Sequence, residues 1–409
     1  MAGALDSSTL ARTGRPSTAC ETDLMSTMTE IPLALVERLI RGAVEVIRTH
    51  DGVLPQRLPG WARGEIPDTF MAQATLESAG IRLAFSTAAT EIELDVRASR
   101  MVPDEVVPIP PGVYELTVDG EAVARSEVAA GGRYVFTFAD RSAAHLVPGP
   151  ASTVRFAGLP PREKEVELWL PYTDAVEVLA LRADAPIGEA ARPTGPRWLH
   201  HGSSISHGYR ADSILGTWPV VAARTAGVEL TNVAFSGNAM LDPFTARTMR
   251  DAEADLISVK IGINIVGADA MRLRVFRPAV HGFLDTIRDG HPQTPLVVVS
   301  PVFCDPVEAV PGPLMQDPSL PYDWSIATGR PEEVAQGKLT LQVVRAELEA
   351  IVRARSATDP NLRYLDGLVL YGPDDAVALP LPDNVHPGPD AQRLIGERFA
   401  ALALTPRTP

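Results

Sequence analysis

Four short segments in the C-terminal half of this chain of 409 residues end apolar runs in small polar residues. They are Gly202, Ser203, Ser204, Ile205 and Ser206; Gly237 and Asn238; Gly262, Ile263 and Asn264; and Asp383, Asn384, Val385, His386 and Pro387. A serine hydroxyl is a poor nucleophile at neutral pH and needs a base within hydrogen-bond reach, and that base needs a carboxylate to fix its tautomer. Asp383 and His386, three residues apart on a tight loop, can meet both needs for Ser204. The oxyanion that forms on attack needs donors already in place. The backbone N–H groups of Ser204 and Gly237 and the side-chain amide of Asn264 can serve. This is the chemistry of acyl transfer through an acyl-serine. On residue type alone, Ser203 competes with Ser204 for the nucleophile's role.

Those segments meet only if their apolar runs are neighbouring strands. After Arg197 the runs RWLHHGSSIS, VELTNVAFSG, DLISVKIGIN, TPLVVVSPVF and LRYLDGLVLYG alternate with helical stretches such as PAVHGFLDTIRDG and LTLQVVRAELEAIVRAR. Buried parallel strands have this continuous apolar character. Five strand–helix units predict a three-layer α/β domain over 193–409 with its ligand site at the C-terminal strand ends. Upstream, IRLAF, EIELDV, YELTVDGEAV, RYVFTF, TVRFAG and EVELWL alternate at the period of strands, with Asp119 and Gly120 as a hairpin turn. Short strands with little helix between them predict a β-sandwich. Leu35, Val36, Leu39, Ile40, Ala43, Val44 and Ile47 recur at helical spacing, so one amphipathic helix is expected from Ile31 to His50, leading into the sandwich over 29–192. The segment Ala183 to Pro196, with three prolines, reads as the linker.

The four polar segments, in this order and spacing, resemble the sequence blocks of the GDSL or SGNH hydrolase family, named for a Ser, Gly, Asn and His that match Ser204, Gly237, Asn264 and His386. The resemblance covers about residues 197 to 405. It implies Ser204 as nucleophile, second in its serine pair, Gly237 and Asn264 in the oxyanion hole, and Asp383 with His386 as the charge and base pair. Ser203 stands where the family usually has Asp, and Ile265 where Asp often follows the oxyanion Asn. Some carbohydrate esterases of the family carry a jelly-roll domain ahead of the catalytic one, and one relative is an acyltransferase of tetracycline-type polyketide tailoring. The resemblance therefore implies an esterase or deacylase of a small-molecule ester. The alternative is an acyltransferase moving an acyl group to an alcohol of a polyketide or sugar, from acyl-CoA or another activated donor. A non-catalytic glycan-binding protein is the remaining alternative.

The net charge of −14 disfavours nucleic acid as a partner, since phosphate binding needs clustered Lys and Arg. No apolar run reaches the roughly 18 residues of a membrane span. The first 28 residues, rich in Ser, Thr, Gly and Ala, lack a secretory apolar region and read as a disordered tail, so a cytoplasmic location is expected. Cys20 and Cys304 have no metal-site or redox spacing. His200 and His201 alternate across a strand and cannot face one ion together, so neither a metal nor a cofactor is expected. His207 is a candidate for the pocket mouth. The stretch Asp305 to Arg330, with five prolines, reads as a long loop in which Tyr322 and Trp324 cover the substrate.

Overall fold

The computed structural model describes residues 28–103, 110–137, 144–191, 194–317, 319–320 and 324–405. Of the expected N-terminal tail only Met28 falls among them; Cys20 does not.

Alternation along the strand Glu91–Pro103 organises the first half. Ile92, Leu94, Val96 and Ala98 are buried, while Glu93 and Asp95, between them, face outward and pair with Arg182. This strand runs antiparallel to Asp174–Ala183, with a bulge between Val178 and Ala180, and the pair forms the spine of an eight-stranded sheet. A six-stranded sheet built around Arg82–Thr87, Lys164–Trp169, Gly112–Val118 and Glu121–Val128 shares one core with it, in which Leu83, Phe85, Leu94, Leu116 and Leu168 are fully buried. The pleat puts every second residue on that inner face, so the two sheets make a sandwich. Asp119 and Gly120 turn the hairpin with φ of 50° and 86°, the left-handed pair that a two-residue turn requires.

The helix expected from Ile31 to His50 is corrected by the structure. Only Leu33–Leu39 is helical; Ile40–Arg41 and Glu45–Arg48 are strands paired into the two sheets. Gly42 breaks the run: its φ is 81°, and a Cβ there would lie 2.3 Å from the Gly80 carbonyl oxygen. Backbone packed on backbone at that point excludes a helix whatever the apolar spacing favours. Three residues of the expected linker, Ile187–Glu189, likewise form a strand beside Arg82–Thr87.

The second half follows its apolar runs. Arg197–Gly202, Glu229–Asn232, Leu256–Lys260, Leu296–Val299 and Leu362–Leu365 make a parallel sheet in which Arg197–Gly202 lies between Glu229–Asn232 and Leu256–Lys260, followed by Leu296–Val299 and Leu362–Leu365. All four residues of Leu296–Val299 are fully buried, as helices on both faces demand. Trp198 and His200 pack on Trp218 and Phe399, from helices Trp218–Ala226 and Pro389–Phe399, on one face. His201 packs on Phe283 of helix Leu273–Gly290 on the other. Three layers result, and neighbouring histidines are divided between two cores. Arg82 of the sandwich pairs with Glu229, and Glu115 accepts the Leu215 N–H, so the two halves are joined by polar contacts. Among the described residues no helix is long and apolar enough to cross a membrane.

Leu94→Ala removes a fully buried side chain at the middle of the sandwich. A loss of about 2–5 kcal/mol in unfolding free energy is expected from urea titration. A loss below about 1 kcal/mol would show that this face is not packed as described.

Candidate active site

The strand Arg197–Gly202 runs into a four-residue helix, Ser204–His207, and Ser204 is its first residue. The helix stops at Gly208, whose φ of 114° suits glycine and where a Cβ would lie 2.3 Å from Thr217 Cγ2. This short strand-to-helix turn holds Ser204 nearly buried at the sheet edge, with its Oγ 2.8 Å from His386 Nε2. His386 Nδ1 lies 2.8 Å from Asp383 Oδ2. The carboxylate's other oxygen accepts the backbone N–H groups of Val385 (3.0 Å) and His386 (2.7 Å), so the loop folds around its own acid. The three residues brought together are thus the three that the sequence singled out.

Burial pushes the Asp383 carboxyl up, but the His386 hydrogen bond and charge, the His386 N–H and the Arg210 cation outweigh it and hold it well below the usual carboxylate range. Arg210 was not legible as a site residue. It sits in the left-handed region (φ 72°), donates from Nε to Asp383 Oδ2 at 3.1 Å, and lies over the Tyr209 ring. Tyr209 in turn packs edge-on against His386, with centroids 4.6 Å apart. The only local signal for this pair is its place just after the helix-ending Gly208.

The expected oxyanion donors lie on adjoining loops. Phe235 donates its N–H to the Gly202 carbonyl at 3.0 Å, which ties the Gly237 loop to the strand before Ser204. Asn264 Oδ1 accepts the Ala239 N–H at 3.0 Å, which leaves Nδ2 as the donor end of that amide. Among the described residues the N–H groups of Ser204 and Gly237 and the Asn264 Nδ2 make no hydrogen bond. Groups of this kind are open to a substrate oxygen. Ser203, fully buried, has an Oγ without a partner among the described residues, so it does not knit the loop as an aspartate there could.

His207 is a correction. It was expected at the pocket mouth but is 2% exposed and faces the sandwich, where its Nε2 lies 2.8 Å from the Tyr172 carbonyl oxygen and 3.1 Å from Glu77 Oε2. Three residues after Ser204 on a single helical turn, it points inward, and sequence spacing could not tell the two sides apart. His200 and His201 are buried with Nδ1 bonded to Ser258 Oγ and the Val233 carbonyl oxygen; burial pushes His201 down to about 4 and His200 well down. Cys304 is buried too, and burial pushes its thiol up, the state of a small hydrophobe.

The expected long loop 305–330 carries a short helix, Asp305–Glu308, and a hairpin of Leu314–Gln316 with Ser325–Ala327. The hairpin docks on the triad loop, since Ser325 donates its N–H to the Asp383 carbonyl (3.2 Å) and Asn384 Nδ2 donates to the Ser325 carbonyl (2.8 Å). Trp324, half-buried, is therefore next to a residue that touches the triad loop. Tyr322 lies outside the described residues.

Residues 201–394 match the model of the GDSL-like lipase/acylhydrolase family. The C-terminal half belongs to that family. The chain is thus an enzyme of the hydrolase and acyltransferase kind, and residues 39–179 match the model of the SsfX3 N-terminal domain. Among solved structures, the salicylyl-acyltransferase SsfX3 from a tetracycline biosynthetic pathway is similar at 27% identity and TM-score 0.72, over 89% of this chain and 94% of that one. A GDSL-like lipase from Bacteroides ovatus is similar at 17% identity and TM-score 0.63 over 91% and 96%. A family two carbohydrate esterase from Clostridium thermocellum is similar at 13% and 0.55 over 80% and 91%. These last two share the fold. No curated protein matches the chain. Both halves of the GDSL enzyme, sandwich included, thus recur together in one solved acyltransferase.

Asp383 has a depressed native pKa, so its contribution to stability is complete above the unfolded value near 4 and is lost as pH falls through the native value. Asp383→Asn should therefore be less stable than wild type at pH 7 in denaturant titrations, with the gap closing as pH drops below about 4. A gap that stays constant down to acid unfolding would mean that the carboxylate is not held ionised by its neighbours.

Proposed function

We propose that this enzyme transfers acyl groups through an acyl-Ser204 intermediate. The observation that carries the reading is the unbroken relay from Ser204 Oγ to His386 Nε2 and from His386 Nδ1 to Asp383, both links at 2.8 Å. In it, Ser204 Oγ attacks the carbonyl carbon of an ester while His386 Nε2 takes the hydroxyl proton, and Asp383 steadies the imidazolium through Nδ1–H. The tetrahedral oxyanion accepts the N–H groups of Ser204 and Gly237 and the Asn264 amide, each worth roughly 3–4 kcal/mol in the transition state. His386 then protonates the leaving alkoxide as the C–O bond breaks, which leaves the acyl-serine. An acceptor hydroxyl, deprotonated by the same nitrogen, attacks that ester and frees Ser204. No metal or cofactor takes part in these steps. The partners are a small-molecule ester or activated acyl donor and the acceptor, with Trp324 on the hairpin beside the triad loop.

Water as acceptor makes the enzyme an esterase or deacylase, the reaction common to the hydrolases that the site resembles. An alcohol acceptor is the second reading, supported by the full-length likeness to a salicylyl-acyltransferase. A cleft of about 210 Å³ between the two halves also favours it, lined by Pro111, Arg125, Tyr172, Thr173, Ala211 and Asp212 and beginning one residue beyond Arg210. An acceptor held in that cleft would touch residues of both halves. The relay's geometry supports catalysis over a glycan-binding protein with a relic site.

A fluorophosphonate probe should label the wild type at Ser204, located by peptide mass spectrometry, and Ser204→Ala should not react. Equal labelling of that variant, or none of the wild type, would sink the reading. With an activated acetyl or salicyl ester as donor, an esterase releases free acid at a rate that added phenols and sugars leave unchanged. A transferase diverts the acyl group into a new ester seen by mass spectrometry.

A further inference from the structure

One buried cation of the sandwich reaches the backbone of the catalytic loops. Arg57 follows the strand Val53–Gln56 and is fully buried. On its own side its Nε donates to the Glu77 carbonyl at 2.5 Å and its Nη2 to the Ala74 carbonyl. Across the domain boundary its Nη1 donates to the carbonyls of Asn232 (3.4 Å) and Ala234, and the guanidinium lies 5.1 Å from the centre of the Phe235 ring. These residues are the end of the strand Glu229–Asn232 and the start of the loop that carries Gly237. The Asn232 side chain extends the connection: Nδ2 donates to the Ser206 carbonyl at 2.9 Å, and Oδ1 accepts the Ala234 N–H at 3.0 Å.

The second arm meets the nucleophile's own helix. Arg57 Nη2 lies 3.5 Å from His207 Nδ1. A guanidinium only donates, so Nδ1 accepts and the ring proton sits on Nε2, which donates to the Tyr172 carbonyl at 2.8 Å. Burial, with the Arg57 charge beside it, pushes the His207 pKa well below its ordinary value, in keeping with a neutral ring of one tautomer. His207 is in the single helical turn that begins at Ser204. A detachable binding module would meet its neighbour through exposed, exchangeable contacts. This one sends a buried charge to carbonyls three and five residues from Gly237 and to a ring three residues from the nucleophile.

We infer that Arg57 is a positioning residue for catalysis: from the sandwich it sets the backbone of the Gly237 loop and the Ser204 helix, so that the oxyanion donors and nucleophile are assembled only with the sandwich in place. The inference rests on the acyl-Ser204 reading. It assigns the sandwich a part in the chemical step, separate from any part in holding substrate.

The test uses the full chain with Arg57→Gln and Arg57→Lys, each assayed well below its own unfolding temperature. kcat and KM are measured on 4-nitrophenyl acetate, and the rate of fluorophosphonate labelling at Ser204 in parallel. Misplaced donors act on the transition state, so Arg57→Gln should lower kcat about 10- to 100-fold with KM within about threefold. The labelling rate should fall in proportion, and Arg57→Lys, which keeps the charge but reaches fewer carbonyls, should recover part of both. Folded Arg57→Gln with wild-type kcat and labelling overturns the inference, as does a change confined to KM. If Arg57→Gln does not fold, Arg57→Lys decides the matter by the same criteria. Wild-type protein that turns over the ester without labelling at Ser204 would instead overturn the acyl-serine reading.

Discussion

Everything in the catalytic half answers to one distance, the 2.8 Å between Ser204 Oγ and His386 Nε2, which joins residues 182 apart in the chain. No local structure can supply that proximity. It requires Arg197–Gly202 to be an inner strand, so that Ser204 emerges at the sheet edge with a strand on either side, and the helix Pro389–Phe399 to pack beneath it, so that the loop ahead of that helix returns to the same edge. The apolar runs of the parallel strands meet that demand. Their burial on both faces leaves the C-terminal edge as the place where polar loops converge. The parallel sheet is the device that converts sequence distance into hydrogen-bond distance.

The same edge must keep a carboxylate ionised with almost no water around it. Asp383 is 3% exposed, and isolated burial would protonate it. Two backbone N–H groups on one oxygen, with His386 and Arg210 on the other, replace the lost hydration. A carboxylate so surrounded has few ways to move, and His386, bonded to it at Nδ1, presents Nε2 to Ser204 in one orientation. Tyr209 closes off another side of that ring. Rigidity here follows from solvation of charge by fixed groups, not from packing density alone.

How much of this was legible in the sequence depended on whether the determining contact was local. The five parallel strands could be read because burial on both faces leaves a continuous apolar run, and the Asp119–Gly120 turn because its backbone demands those residue types. The Ser204, Asp383 and His386 set was legible because its members lie in two segments, one ending an apolar run and one in the loop before the last helix, that resemble known blocks. The helix at Ile31–His50 failed because its apolar period was right and a single close backbone contact at Gly42 overruled it. The strand Asp174–Ala183 went unlisted among the expected ones because the bulge at Val178 and Ala180 shifts its alternation midway. His207 was misplaced because nearness in sequence to Ser204 does not say where its ring goes, and its partners, the Tyr172 carbonyl and Glu77, are remote in sequence on the sandwich side. Arg57 and Arg210 leave no local mark, since each acts on a partner more than 140 residues away.

On the proposed mechanism, hydrolysis and transfer share every step up to the acyl-serine, with His386 activating water or alcohol by the same proton transfer. The triad therefore cannot discriminate between them, and the difference lies in which hydroxyl occupies the space above the ester. Water wins wherever that space is open, because it is present at far higher concentration than any alcohol; an alcohol wins only where its binding displaces water and aligns its oxygen. The elements able to do that are outside the four family blocks: the hairpin bonded to the Asp383–Asn384 backbone, and the sandwich residues facing Ala211 and Asp212. On that mechanism, the place to look for specificity in the second half-reaction is where this chain departs most from a minimal catalytic domain. The sandwich, tied through Arg57 to the backbone ahead of Gly237, has the position to couple acceptor binding to the geometry of the oxyanion loop.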